Sequence, residues 1–368
     1  MKLYNLVRRQ RHAARFHTPG HSGKNLDGGI FACAKYDVTE LPHTDNLQSP
    51  SGIILEAERR AAEVYGVDTA LFFTSGATTA VFTALAAAAE QCDRVYLHGA
   101  AHKSFKNGAR LAGLTVIPKP DKDAAAFVTS PDYFGVCEDR ETLGKLAQNA
   151  KLLIVDAAHG AHYAFSARFP KPPWDIADMT VISPHKTMPV LTGGAVLLIR
   201  EALEALPILL RQGGNAVTEG VTSKGCSDRS PAGNSAVTTL PAMSSKINIA
   251  SGGSPSARCR ADLHTTSPSY PVLASLDYAI NTFADKGAKL YERVFAAVER
   301  FKRGLMESGF EFYDNDDFTR LVIKGGFSSN KPYCELEQDG YTVYIVTPYN
   351  YKYLPRLKRR LIQMKGAG

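Results

Sequence analysis

The chain has 368 residues, 44% of them hydrophobic and 21% charged, with a formal net charge of +7. That is enough apolar material for a sizeable core and more than one domain, and the charge content is that of an ordinary soluble protein. Much of the positive excess lies near the ends, at Arg8, Arg9, Arg11 and Arg15 and at Lys352, Arg356, Lys358, Arg359, Arg360 and Lys365. These runs read as solvated helical faces, not as a nucleic-acid surface, since no aromatics interleave with the N-terminal arginines. No apolar run is long enough to cross a bilayer, and Met1 to Gln10 lacks the apolar segment of a signal peptide. The six cysteines (Cys33, Cys92, Cys137, Cys226, Cys259 and Cys334) are scattered, with no two at C-x-x-C spacing. Free thiols in a reducing cytoplasm are the simplest account, and neither a zinc site nor a redox pair is signalled.

Residues 1–50 read as an extended arm, broken at Thr18-Pro19-Gly20-His21 and Leu41-Pro42. Ile53 to Tyr65 carries apolar residues at helical spacing, with Gly66 placed to cap its end. Strand and helix signals then alternate. Ala70–Phe73 is a strand and Thr78–Ala89 an alanine-rich helix. Arg94–Leu97, Thr115–Ile117 and Ala125–Thr129 are strands, followed by a helix over Glu141–Asn149. Leu152–Val155, Met179–Ser183 and Ala195–Ile199 complete the set. Short apolar strands separated by helices predict an α/β fold with a mostly parallel, doubly covered sheet, and such sheets bind ligands beyond their C-terminal strand ends.

The stretch 213–260 is rich in Gly, Ser, Thr, Asn and Ala and reads as a loop or disordered insertion. Beyond it, Pro271–Ala284 and Ala288–Ser308 are predicted as helices, Phe318–Ile323 and Tyr341–Val346 as strands, and Tyr353–Met364 as a basic helix. The expected organisation is an arm over 1–50, a large domain over 51–285 and a smaller C-terminal α+β domain over 286–368.

Two apolar runs end on polar residues. Leu152-Leu153-Ile154-Val155 delivers Asp156, and Val181-Ile182 delivers Ser183-Pro184-His185-Lys186-Thr187. A lysine in that setting can form an imine with an aldehyde cofactor. An aspartate ending a buried strand needs a cationic partner. Together they suggest pyridoxal 5′-phosphate (PLP), with Lys186 for the aldehyde and Asp156 for the pyridine nitrogen. Ser75-Gly76-Ala77-Thr78 follows a strand and opens a helix, which is anion-site geometry; taken alone it is equally an ordinary serine N-cap. His98 with His102 have the look of a metal pair, but no third ligand stands at a telling spacing; Asp156 with His159 and His162 could also suggest a metal, against which Asp156 ends an apolar strand and wants a cationic partner.

Several motifs in succession resemble the bacterial ornithine/lysine/arginine decarboxylases of PLP fold type I. They are Arg15-Phe16-His17-Thr18-Pro19-Gly20-His21-Ser22-Gly23, Asp37-Val38-Thr39-Glu40, Leu47 to Gly52, Phe73 to Thr78, His102-Lys103-Ser104, Asp156 to His162, Ser183 to Thr187, Thr265 to Pro271, and Val346 to Asn350. The resemblance implies a large domain of that fold type and decarboxylation of a basic amino acid. It implies Lys186 as the Schiff-base lysine, Asp156 on the pyridine nitrogen and His102 stacked on the ring. Ser75, Gly76, Ala77 and Thr78, helped by Ser183 and His185, would hold the phosphate, with His159 on the cofactor's oxygen side. It further implies a homodimer or higher oligomer with shared active sites, in which Thr266 reaches the neighbour's phosphate and the arm wraps the partner. The chain carries Ala157 where members usually have glutamate, and it ends soon after Asn350 where members commonly continue. The substrate's distal cation wants a carboxylate, and Asp37, Glu40 and Asp45 in the arm are candidates. An aminotransferase or aldolase, or a non-catalytic PLP-binding homologue, would share the Lys186 and Asp156 pattern. An aminotransferase would also need an arginine for the substrate carboxylate, and the sequence does not point to one.

Overall fold

The computed structural model describes residues 2–10, 15, 17–200, 254–325 and 336–366. Helix α1 (Lys2–Arg9) and α2 (Ile53–Tyr65) precede strand β1 (Thr69–Phe73) and helix α3 (Ala77–Ala89). Then come β2 (Arg94–His98), α4 (Lys103–Leu111), β3 (Thr115–Ile117), β4 (Ala125–Thr129) and α5 (Arg140–Gln148). Strands β5 (Leu152–Ala157), β6 (Met179–Ile182) and β7 (Ala195–Ile199) complete a seven-stranded sheet of order β1-β7-β6-β5-β4-β2-β3. All its pairings are parallel except the two made by β7, as the predicted fold class requires.

The strands are apolar on both faces because both faces are covered. Phe72, Leu153 and Val155 point into a core shared with α1 and α2, while Leu71, Phe73 and Ile154 point into a second core under α3 and α4. Alternate residues of one strand thus serve two cores, which explains the uninterrupted apolar runs.

Three expectations need correction. The first residues are not extended: α1 packs on the core with Leu3 and Val7 buried, and Tyr4 N donates to Asp277 Oδ2 at 3.0 Å. The supposed insertion 213–260 overlaps a helix, α6 (Pro255–Leu263); residues 213–253 lie outside the described residues. Within α6, Arg260 is buried and hydrogen-bonds Glu58 of α2, and Glu58 also accepts from Phe72 N at 2.8 Å. The composition of α6 is polar, but its polar groups are paired inside, so it belongs to the core that periodicity failed to predict. Finally, the two helices expected on either side of residues 285–287 are one, α7 (Tyr270–Met306), which crosses the expected domain boundary. Gly287 reads as a break, yet a Cβ there would stand 2.6 Å from Phe165 Cβ. The glycine is a close-packing contact and not an interruption.

The smaller α+β unit holds a three-stranded antiparallel sheet of order β8-β10-β9, from β8 (Arg320–Lys324), β9 (Leu336–Gln338) and β10 (Tyr341–Ile345), with α8 (Leu354–Gly366) after it. Its attachment to the large sheet runs through the turn after β4. Gly135 O accepts from Asp316 N and Asp317 N, both at 3.1 Å. Gly135 has φ +89°, and a Cβ on it would meet Arg320 Cγ and Asp317 Cβ at 2.9 Å. Only a glycine lets the two backbones approach this closely.

Candidate active site

Five loops leave the same edge of the large sheet: those after β1, β2, β4, β5 and β6. The loop entering the reversed strand β7 joins them there. They enclose a cavity of about 740 Å³ lined by Ser75, Gly76, Ala77, Thr78, His102, Asp156, His159, Ser183, His185 and Lys186. Every cofactor residue expected from the sequence is brought together except Thr266, which is exposed and outside this lining.

The phosphate end is built by α3. Its N-cap is Gly76, with no side-chain cap, so the serine-cap alternative does not apply and the first-turn N–H groups have no side-chain partner. Gly76 N donates to Gly193 O at 2.7 Å. His264, just past α6, accepts from Thr74 N through Nε2 at 3.0 Å. His264 was not legible as a site-supporting residue, because it adjoins the stretch read as an insertion. His185 Nδ1 lies 2.8 Å from Gly194 O and 3.1 Å from Ser183 Oγ, which fixes its ring beside this end. Burial, opposed by the Gly194 carbonyl and helped by the Lys186 charge, holds His185 below its ordinary pKa.

The other end is built by β5 and β6. Asp156 is 5% exposed, and the one hydrogen bond to its carboxylate among the described residues is from Ala158 N at 3.1 Å. Burial pushes its carboxyl above the ordinary range, and the Ala158 N–H and the charges of Lys186 and His102 only partly oppose this. A buried carboxylate so poorly compensated lacks a cation. Lys186 lies on the turn after β6. Burial lowers its amine pKa against the pull of Asp156, and Arg320 lowers it further.

His159 links this lysine to the small domain. Its Nε2 lies 3.2 Å from Lys186 Nζ, and its Nδ1 lies 2.7 Å from Arg320 Nη2. Tyr133 meets the ring edge-on, with centroids 5.6 Å apart. Burial, then the charges of Arg320 and Lys186, push His159 well below its ordinary pKa. His102 is the N-cap of α4: its Nδ1 accepts from Ser104 N at 3.2 Å, and the residue lines the cavity.

The suspected metal groups separate. His98 Nε2 faces Glu138 Oε2 at 3.2 Å. His162 points away from His159, with Nε2 3.3 Å from Asp317 Oδ2 and 3.2 Å from Thr319 Oγ1. Among the described residues no group of three or more His, Cys, Asp or Glu converges as a metal set. The arm carboxylates also do other work. Asp45 caps α2 by accepting from Gly52 N and Ile54 N, both at 2.9 Å; Asp37 faces His21; Glu40 accepts from Thr39 Oγ1. None of the three lines the cavity, whereas Asp132 and Asp339 do.

The sequence reading missed Arg320, Tyr133, Asp132 and Asp339. Arg320 carries a signal: it is the single cation inside the run Phe318-Thr319-Arg320-Leu321-Val322-Ile323.

The site fits PLP in charge and in shape. One end is an uncapped helix start with hydroxyls, the other a buried carboxylate wanting a cation, and an accessible amine lies beside them.

Residues 2–124 match the family model described as Orn/Lys/Arg decarboxylase, major domain. The chain is similar to the uncharacterized protein YaaO of Bacillus subtilis, 31% identical over 230 residues, covering 53% of this chain and 47% of the relative. It is also similar to the arginine decarboxylase of Bacillus anthracis, 26% identical over 330 residues, covering 80% of this chain and 57% of the relative. The chain thus spans about half the length of the curated relatives it matches. Lysine decarboxylase A from Pseudomonas aeruginosa shares its fold, with a TM-score of 0.71, 15% identity, and coverage of 99% of this chain and 59% of that one. With the ordered motifs on one cavity, the first third of this chain matches the Orn/Lys/Arg decarboxylase family model, and the whole chain shares the fold of a lysine decarboxylase.

Proposed function

We propose that the protein decarboxylates a basic amino acid, lysine, ornithine or arginine, to the corresponding amine with PLP as cofactor. The observation that carries this reading is the under-compensated Asp156 carboxylate sharing one cavity with the Lys186 amine and the uncapped start of α3. When bound, PLP supplies an electron sink for the bond broken at Cα.

The chain's own residues do the rest. Ser75, Gly76, Ala77 and Thr78 hold the phosphate through N–H groups and hydroxyls, with Ser183 and His185 beside them. Asp156 would hold a proton on the pyridine nitrogen, His102 would pack beside the cofactor, and Lys186 would supply the amine for its aldehyde. Holding the substrate so that its carboxylate can leave would be a task of orientation, worth several orders of magnitude in rate when done well. Asp132 and Asp339 give the cavity the anionic character that a substrate with a distal cation requires. The same reading takes the enzyme as a cytoplasmic homodimer, with Thr266 serving the second copy's phosphate; its exposure outside its own cavity supports that role.

The test is spectroscopic and chemical. The wild-type chain mixed with PLP is expected to show the visible band of lysine-held cofactor, lost in Lys186→Ala, and to release carbon dioxide from at least one of the three substrates. Cofactor bound with no release from any of them counts against decarboxylation. No band in wild type counts against PLP itself.

A further inference from the structure

His159 makes two contacts that together fix more than its position. Its Nδ1 lies 2.7 Å from Arg320 Nη2, and its Nε2 lies 3.2 Å from Lys186 Nζ. A guanidinium has five N–H groups and no lone pair to offer. Nδ1 must therefore be the acceptor of that hydrogen bond, and it carries no proton. A neutral imidazole then has its single hydrogen on Nε2, pointing at Lys186. A protonated amine has three donors and no acceptor, so it cannot receive that hydrogen; a free amine can. The roles around the ring are thus set from the arginine outward.

We propose that Arg320, from the small domain, is a positioning residue that fixes the tautomer of His159 and through it holds Lys186 as the free amine. This rests on the PLP reading of the cavity, since the free amine is the form that adds to an aldehyde. Arg320 is itself held in place. It is fully buried, its Nε lies 3.9 Å from Asp317 Oδ2, and the turn at Gly135 packs directly on it. Asp317 in turn faces His162 on the large domain. The state of the cofactor lysine therefore depends on the docking of the small domain against the turn after β4.

Other charged and titratable groups surround Lys186. Asp156 and His159 come from the end of β5, His102 from the start of α4, Asp132 and Tyr133 from the turn after β4, and His185 from its own turn. Asp156 favours the ammonium form; burial and Arg320 oppose it. His159 feels the charges of Arg320, Lys186, His162 and His102, all of which disfavour a second proton on its ring.

The experiment uses the full chain freed of cofactor, with its ten histidines labelled with nitrogen-15. Long-range proton–nitrogen correlation reads the tautomer of each ring, and His159→Gln assigns the signal. The expected result is the Nε2–H tautomer at His159 from about pH 5 to 8, the range over which an ordinary histidine would lose its charge. An Nδ1–H tautomer, or a doubly protonated ring at neutral pH, overturns the proposal.

A second measurement needs no variant. Competitive acylation followed by peptide mass spectrometry gives the titration midpoint of Lys186 against exposed Lys24. A midpoint at least one unit lower, or tenfold more free amine at a given pH, is expected; an equal or higher one overturns the proposal. Arg320→Met is expected to mix the tautomers and move the midpoint back toward that of Lys24. Lower stability with both readouts unmoved would reduce Arg320 to a structural part and end the claim. Failure here is distinct from failure of the functional reading. A chain that binds PLP with the wrong His159 tautomer sinks only this inference, whereas one with the right tautomer that captures no PLP sinks only the other.

Discussion

Asp156 and Asp317 are two buried aspartates, yet they lie in opposite electrostatic settings. Asp317, at the junction of the two sheets, is opposed by burial but surrounded by His162, Arg320 and the Thr319 hydroxyl. Their combined pull holds its carboxyl below the ordinary range. Asp156, at the end of β5, has one backbone N–H and distant cations, and burial wins. The first carboxylate has its charge compensated by its own chain and holds two parts of the protein together. The second is left in deficit, and that deficit is what a cationic ring can fill. Burial alone therefore does not mark a functional acid; burial without a partner does.

The largest test of this contrast is Asp317→Asn. Removing one partner of a buried charge pair costs about 3–5 kcal/mol, and the cofactor-free protein is expected to melt at a correspondingly lower temperature. A loss no greater than that of a surface substitution would erase the distinction. Next comes Gly135→Ala, which forces a Cβ against Arg320 and Asp317 at positive φ. About 1–3 kcal/mol is expected from the backbone conformation alone, measured by denaturant unfolding, together with weaker attachment of the small domain.

The smallest effect has the opposite sign. In cofactor-free protein, Asp156→Asn is expected to leave the melting temperature unchanged or raise it, because a poorly paired buried charge is removed.

The pH dependence separates the two sites further. A carboxyl held below its unfolded value of about 3.9 stabilises the fold above that pH and loses this as pH falls through the folded value. The Asp317→Asn deficit should therefore be full at neutral pH and shrink in acid. Asp156 is raised, so the folded state favours its protonated form, and ionisation costs stability as pH rises through the folded value. Any gain from Asp156→Asn should appear at neutral pH and vanish as pH drops toward the ordinary carboxylate range. Parallel pH profiles for the two variants would refute the comparison.

The legibility of the sequence follows the same division. Leu152 to Val155 and Val181-Ile182 were readable because strands covered on both faces are continuously apolar. Asp156 and Lys186 stood out as polar residues ending such runs. Arg320 did not, because a cation in an edge region reads as solvent-facing until its partners are known. Helix α6 was missed because Pro255 to Leu263 has no apolar periodicity. What buries it is the match between Arg260 and Glu58, a pairing across 202 positions that no local window contains. The helix α1 was hidden by its arginines, although Leu3 and Val7 carry its packing face. Gly287 divided α7 on paper because a glycine chosen for contact looks identical to one chosen for a bend.

The Arg260–Glu58 pairing also sets the order in which the molecule can be made. Glu58 leaves the ribosome long before its guanidinium does. At translation rates of about 5–20 residues per second, 202 positions amount to a wait of roughly 10–40 s. Throughout that interval the nascent sheet carries an uncompensated acid beside its first strand. The large domain therefore finishes closing late in synthesis, and it is in the unfinished chain, not the mature one, that chaperone dependence and misfolding should concentrate.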